Sequence, residues 1–114
     1  MIKRSKYLNK KVEIDGFKFD SIAEGRRYGI LKILLKAKEI KSFEMQVPYK
    51  FKLDNKHIFT YKADFVIYHN DESVVIEDVK AWDKKTGKFI TTPVFNLKKK
   101  LLATQGVVIV CVRA

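Results

Sequence analysis

From Ser42 to Leu53 apolar and polar residues alternate without a break. Phe43, Met45, Val47, Tyr49, Phe51 and Leu53 alternate with Glu44, Gln46, Pro48, Lys50 and Lys52. A period of two predicts a strand with one buried face. Pro48 puts that strand at an edge or gives it a bend. Asp54-Asn55-Lys56 makes a turn, and two more apolar runs follow, Tyr61 to Ile67 and Val74 to Val79. These predict a second and a third strand. Upstream, Ser21 is a good N-cap with Glu24 three residues on, a capping box that opens a helix running to about Ile40. Glu24, Tyr28, Leu31 and Leu35 share one stripe of it, and Leu31 and Leu35 are expected to face the core. A second helix is predicted from Pro93 to Thr104, with Pro93 in its first turn and Gly106 past its end. Gly106 to Arg113 is apolar and β-branched, a pattern that suits a strand buried on both faces and paired in parallel. A hairpin opens the chain, where Lys11 to Ile14 and Phe17 to Phe19 flank Asp15-Gly16. Ala81 to Ile90 reads as a loop.

The register of the second and third strands follows from the turn between them. His69-Asn70-Asp71-Glu72-Ser73 is centred on Asp71, and Asp64 and Asp78 lie seven residues to either side of it. A hairpin centred there sets Asp64 directly opposite Asp78 on one face. A slip of one residue would destroy the pairing. Lys80 shares that face by alternation, whereas Glu77 points the other way. Facing carboxylates repel, and a divalent cation would turn the repulsion into a ligand set. Oxygen ligands favour Mg²⁺, Mn²⁺ or Ca²⁺ over zinc.

Composition narrows the partner. The chain has 114 residues, enough for one domain with one core, and 46% of them are hydrophobic, which fits a folded chain. Lys and Arg number 24 against 13 Asp and Glu, a net charge of +11, which favours a polyanion. The basic residues are spread over Met1 to Lys11, Gly25 to Lys41, Lys84 to Lys88 and Lys98 to Lys100, as a surface that tracks phosphates requires. Cys111 lies in an apolar run and reads as a buried small residue rather than a reactive thiol. A lone cysteine forms no disulfide within the chain, which suits a reducing cytoplasm. No apolar stretch approaches the roughly 20 residues of a membrane span, and no secretory signal is visible.

A helix opened by Phe19-Asp20-Ser21-Ile22-Ala23-Glu24, Gln46 in the first long strand, Tyr61-Lys62-Ala63-Asp64-Phe65, Glu77-Asp78-Val79-Lys80 and the segment from Thr92 to Leu102 come in this order. In this order the chain resembles the PD-(D/E)xK nuclease superfamily. Within it the resemblance is to small phage- and prophage-encoded endonucleases described as Holliday-junction-resolvase-like. Ala63 departs from the signature, which usually has proline there. The resemblance implies an α/β, restriction-endonuclease-like core of order α-β-β-β-α-β, a mixed sheet flanked by helices. Residues 1–114 would form a single nuclease domain, with a basic segment and hairpin over 1–19 and the core over 20–114. It implies metal ligands at Asp64 and Asp78 and a Lys80 that positions water or stabilises charge on the phosphorane. Glu24 would be a further ligand, and Lys98 a second-helix lysine that orients the nucleophile or holds a phosphate. The cofactor would be Mg²⁺, with Mn²⁺ as a substitute, and no small-molecule cofactor. DNA would be the partner, branched DNA by preference, met by a homodimer in the cytoplasm of a bacterial host.

Other residues fit more than one role. A capping box explains Glu24 by itself, yet a carboxylate on a sheet-facing stripe needs a partner. Lys84, Lys85, Lys88, Arg26 and Arg27 would grip phosphates. Trp82 would stack on a base, or simply pack half-buried. His57 and His69 read as surface residues. The alternative function is a non-catalytic nucleic-acid-binding accessory module of the same fold, and a third is an RNA- or ribosome-associated basic protein.

Overall fold

The opening hairpin is made by β1 (Val12–Ile14) and β2 (Phe17–Phe19) in a computed structural model that describes residues 10–113. The basic stretch expected before Lys10 lies outside the described residues. Asp15 and Gly16 both have positive φ, 55° and 81°, the mirror-image turn that matches strand twist. The turn is docked as well as folded. Asp15 accepts hydrogen bonds from the Tyr28 hydroxyl and the Lys32 ammonium of the helix that follows.

That helix, α1 (Ile22–Lys36), starts as the sequence predicts, with the Ser21 hydroxyl accepting from the Glu24 N–H at 3.0 Å. It ends about one turn earlier than expected. Lys38 adopts φ 61°, its N–H donates to the Leu35 carbonyl, and the Glu39 N–H donates to the Leu34 carbonyl. This is a Schellman stop built without glycine, so the composition gave no sign of it. The helix buries Glu24, Tyr28 and Leu31, whereas Leu35 is exposed and Leu34 takes the inward place expected of it.

β3 (Ser42–Leu53), β4 (Lys56–Tyr68), β5 (Val74–Val79) and β8 (Ile109–Val112) form one sheet in the order β3-β4-β5-β8. The pairs are antiparallel except β5 with β8, so the sheet is mixed. Between β5 and β8 come β6 (Trp82–Asp83), β7 (Lys88–Phe89) and α2 (Pro93–Ala103). The expected loop over Ala81 to Ile90 thus holds a small hairpin, with Gly87 at φ 67° in its turn. β8 pairs in parallel, as its composition suits, but it is the edge strand. Val110 is exposed, so burial on both faces is not reached.

Two apolar clusters cover the two faces. Phe19, Tyr28 and Leu31 pack with Phe65 and Ile67 on the α1 side. Leu102 of α2 packs with Phe51, Tyr61, Ala63, Val66 and Ile109 on the other. Odd-numbered residues of β3 and β4 change sides midway. Phe43, Met45, Phe65 and Ile67 belong with α1, but Val47, Tyr49, Phe51, Tyr61 and Ala63 belong with α2. The change falls at Gln46, whose φ is 54°, and at Asp64 across from it, where the β3–β4 pairing skips a step. The flipped backbone at Gln46, with the break in pairing at Asp64, keeps sequence alternation intact while exchanging the faces.

Candidate functional site

Asp64 sits where two irregularities meet. The β4–β5 ladder runs from Tyr68↔Val74 to Phe65↔Glu77 and then stops. The loop that sets this register is a three-residue one closed by a His69 N–H to Ser73 carbonyl bond, with Glu72 at φ 72°. One further step in the same register brings Asp64 opposite Asp78, as predicted. There the Asp64 Oδ2 accepts the Val79 N–H at 2.8 Å, so a carboxylate takes a donor that the ladder has released.

Asp78 is buried at 5% exposure and both of its oxygens are engaged. The Tyr61 hydroxyl donates to Oδ2 at 2.5 Å, and the Lys80 ammonium lies 2.9 Å from Oδ1. Lys80 is therefore on the Asp78 side, as alternation requires. Its Nζ also lies 4.0 Å from the centroid of the Phe95 ring on α2, a cation–π contact that fixes where the charge sits.

Glu24 approaches from the first turn of α1. Its Oε1 accepts from Gln46 Nε2 at 2.6 Å and its Oε2 from the Asp20 N–H at 3.3 Å. Gln46, a polar position in the alternation of β3, thus ties the helix carboxylate to the flipped strand residue. Glu24 and Asp64 both titrate above the usual carboxylate range. Burial is the main cause for each, and the Asp78 charge adds to it. Asp64 is pushed up to about 7. Among the described residues, no three His, Cys, Asp or Glu side chains stand close enough to hold a metal ion as they are. The three carboxylates interact through their charges, yet each is occupied by a protein donor.

Glu77 faces α1, as its alternation predicts. Arg27 Nε and Nη2 donate to its two carboxylate oxygens at 2.8 and 2.7 Å, and Glu77 is 4% exposed. Arg27 is thus committed to an internal pair, whereas Arg26 is exposed. Lys98 does not join the carboxylates. Its Nζ lies 5.3 Å from the centroid of Phe59, along the other half of β4. Lys84, Lys85 and Lys88 are exposed around the β6–β7 turn. Trp82 is half-buried there, edge-on to Phe89 with the Arg113 guanidinium 4.9 Å from its ring, which is the packing role. Cys111 faces Asp78 across the β5–β8 ladder, and burial pushes its thiol up, away from reactivity.

Beside Lys80 lies a cleft of about 300 Å³ lined by Ser21, Ala23, Val79, Ala81, Ile90 and Thr92. Ser21 and Thr92 are the N-caps of α1 and α2, so the positive ends of both helices border the same space as the lysine. Sequence reasoning passed over Tyr61 and Phe95. Tyr61 opens an apolar run, and only its hydroxyl distinguishes it from phenylalanine.

No helix among the described residues is long and apolar enough to cross a membrane. Over residues 4–109 the chain matches a family described as a protein of unknown function (DUF1064). No curated protein and no solved structure matches it.

Proposed function

The chain belongs to the DUF1064 family, and we propose that it is a metal-dependent endonuclease that hydrolyses DNA phosphodiester bonds on a restriction-endonuclease-like PD-(D/E)xK core. One observation carries the reading: Asp64 and Asp78 are driven together at the broken end of a ladder, with Lys80 at the second of them. A folded chain gains nothing in stability from two carboxylates that repel in a desolvated place. A site whose task is to hold a cation accounts for them.

The donor set fits such a group. It is all oxygen, it is sheltered, and Asp64 keeps a proton near neutrality that a cation would displace. Asp64, Asp78 and Glu24 are the residues that would hold Mg²⁺ or Mn²⁺. When bound, the ion supplies a Lewis acid for the phosphate and a more acidic water. The protein's own residues do the rest. Tyr61 holds Asp78, Gln46 holds Glu24, and Phe95 keeps the Lys80 ammonium beside the cleft. Lys80 and the two helix N-termini offer positive charge to a phosphate entering there. Lys84, Lys85, Lys88 and Arg26 would hold the backbone further out. Branched DNA as preferred substrate and a homodimer as working form are part of the same proposal.

The engagement of all three carboxylates by protein donors favours a second reading, an accessory module that binds DNA and does not cut it. Labelled four-way junction, flap, linear duplex and single-stranded DNA, incubated with wild type and Asp78→Asn in Mg²⁺, Mn²⁺ or chelator, separate the two. Cutting by wild type alone, dependent on metal, supports the nuclease. Tight binding with no cutting in either ion supports the accessory module.

A further inference from the structure

We infer that the outer half of the β3–β4 ribbon is a second nucleic-acid surface, built to lie along the phosphate backbone of double-helical DNA as it leads away from the carboxylates. Beyond Gln46 and Asp64 the ribbon continues without β5, so it has two strands and two faces. One face packs on α2 through Tyr49, Phe51, Phe59 and Tyr61. The other is open to solvent.

On the open face Pro48 lies across from Lys62, Lys50 from Thr60, and Lys52 from His57. The His57 ring bonds the Thr60 hydroxyl, which puts His57 on this face beyond the register shift after Phe51. All six residues are exposed, and there is no carboxylate among them. Among the described residues, Lys50, Lys52 and Lys62 have no ion pair. The cationic residues that do are Arg27, Lys32, Lys41 and Lys80. Lysine on an edge strand also keeps other strands off. That purpose is served by charge of either sign, and mixed signs would avoid the repulsion that like charges incur on one face. A face with only one sign of charge calls for an anion outside the chain.

Spacing fits the double helix. Residues two apart on a strand are about 6.8 Å apart, which is close to the separation of neighbouring phosphates on one DNA strand, larger than their axial rise of about 3.4 Å because the backbone winds around the axis. Lys50 and Lys52 would thus meet neighbouring phosphates. Lys52 lies six positions beyond Gln46, about 20 Å along the strand, so the contact would run from Lys62, two residues from Asp64, out to a point remote from the reacting bond. A two-stranded ribbon also fits the major groove.

This surface is proposed for the same nucleic acid as the site, but its test does not need cleavage. A fluorescent random-sequence DNA duplex is titrated with Asp78→Asn protein in chelator at several NaCl concentrations. The same titration is run after adding Lys50→Gln, Lys52→Gln and Lys62→Gln together, and after a charge-matched change, Lys18→Gln with Val74→Glu and Val108→Glu, at exposed positions outside the basic segments. The ribbon change should weaken binding at least tenfold and reduce the slope of log Kd against log salt by about 2 to 3, since each phosphate contact contributes roughly 0.9. The matched change should leave the slope within about 1 of its starting value. Equal effects of the two changes would overturn the ribbon surface and leave only net charge. A wild type that cuts DNA while the ribbon change leaves binding intact would overturn it and spare the nuclease. A protein that binds through the ribbon and never cuts would do the reverse.

Discussion

The Val79 backbone N–H donates to the Asp64 carboxylate at 2.8 Å, at the point where β4 and β5 cease to pair. This bond lowers the pKa of Asp64, but burial and the Asp78 charge outweigh it and bring the group to about 7. The folded chain therefore holds a proton that the unfolded chain releases near 3.8. Between those values the folded state binds more protons, so the stability from this group is complete below about 4 and is lost as pH rises through 7. Chemical denaturation in chelator should show stability falling from pH 4.5 to pH 7.5. Asp64→Asn should remove most of that fall and be the more stable protein at pH 7.5. An unchanged pH slope in the variant would mean that Asp64 is not the group responsible.

Metal should reverse this dependence. A cation competes with the proton on Asp64, so stabilisation by Mg²⁺ or Mn²⁺ should grow as pH rises through 7 and level off above it. At 100 times its Kd a ligand that binds only the folded state adds about 2.7 kcal/mol. Thermal shifts measured across pH with Mn²⁺ should follow this rise in wild type and vanish in Asp64→Asn and Asp78→Asn. A shift of equal size in the variants would place the ion elsewhere.

Tyr61 is expected to govern how well Asp78 serves. Its phenol is buried and titrates well above the usual range, with burial the main cause and the bond to Asp78 next. It therefore remains a donor at every working pH and fixes one carboxylate oxygen. Tyr61→Phe keeps the ring packed against Phe95 but frees that oxygen. Loss of such a supporting bond typically weakens metal binding about 10- to 100-fold. Calorimetric titration with Mn²⁺ should show that loss, with stability lowered by about 1–3 kcal/mol because a buried charged acceptor loses its donor. A large stability loss with unchanged affinity would make Tyr61 a core residue only.

Arg27 and Glu77 offer a test of what the positive charge on α1 is for. Two donors of a planar guanidinium meet both oxygens of a buried carboxylate, and removing one partner of such a pair typically costs about 3–5 kcal/mol. Arg27→Met should lower stability on that scale, and Arg27→Met with Glu77→Leu should recover most of it. The double variant should still bind DNA to within about threefold, since an arginine held inward makes little contact with a backbone. A large loss of binding in that stable double variant would return Arg27 to the DNA surface.

How far the sequence discloses this arrangement depends on whether a signal is local. The odd loop centred on Asp71 settled the Asp64–Asp78 register because counting is enough in a tight hairpin. The bounds of β3 followed from its alternation for the same reason. The exchange of faces at Gln46 did not, because alternation is blind to a backbone flip that leaves odd residues buried on both sides of it. The early end of α1 lay hidden because Lys38, not glycine, takes the left-handed conformation. Arg27 with Glu77, fifty residues apart, and Lys98 turned toward Phe59 depend on packing between distant elements, which no spacing rule encodes.

Gly25 shows the same kind of hidden constraint and gives the last test. In an exposed helix, replacing glycine with alanine stabilises by roughly 1 kcal/mol. Gly25 is buried under the opening hairpin, and a Cβ there would lie 2.9 Å from Val12 Cγ2 and 3.0 Å from Ile14 Cδ1. Val12 is a short branched side chain packed against the core, with little freedom to withdraw, whereas the exposed Ile14 can swing its Cδ1 aside. Overpacking of this kind costs about 1–3 kcal/mol, so the helix gain should be cancelled or exceeded. Gly25→Ala is expected to lower stability, and Gly25→Ala with Val12→Ala to recover part of it by making room. Because Glu24 is the neighbouring residue, a shifted hairpin would also disturb the Gln46 contact, and metal affinity should fall in the single variant more than in the double. A Gly25→Ala protein more stable than wild type would mean that the hairpin does not rest on α1 in solution.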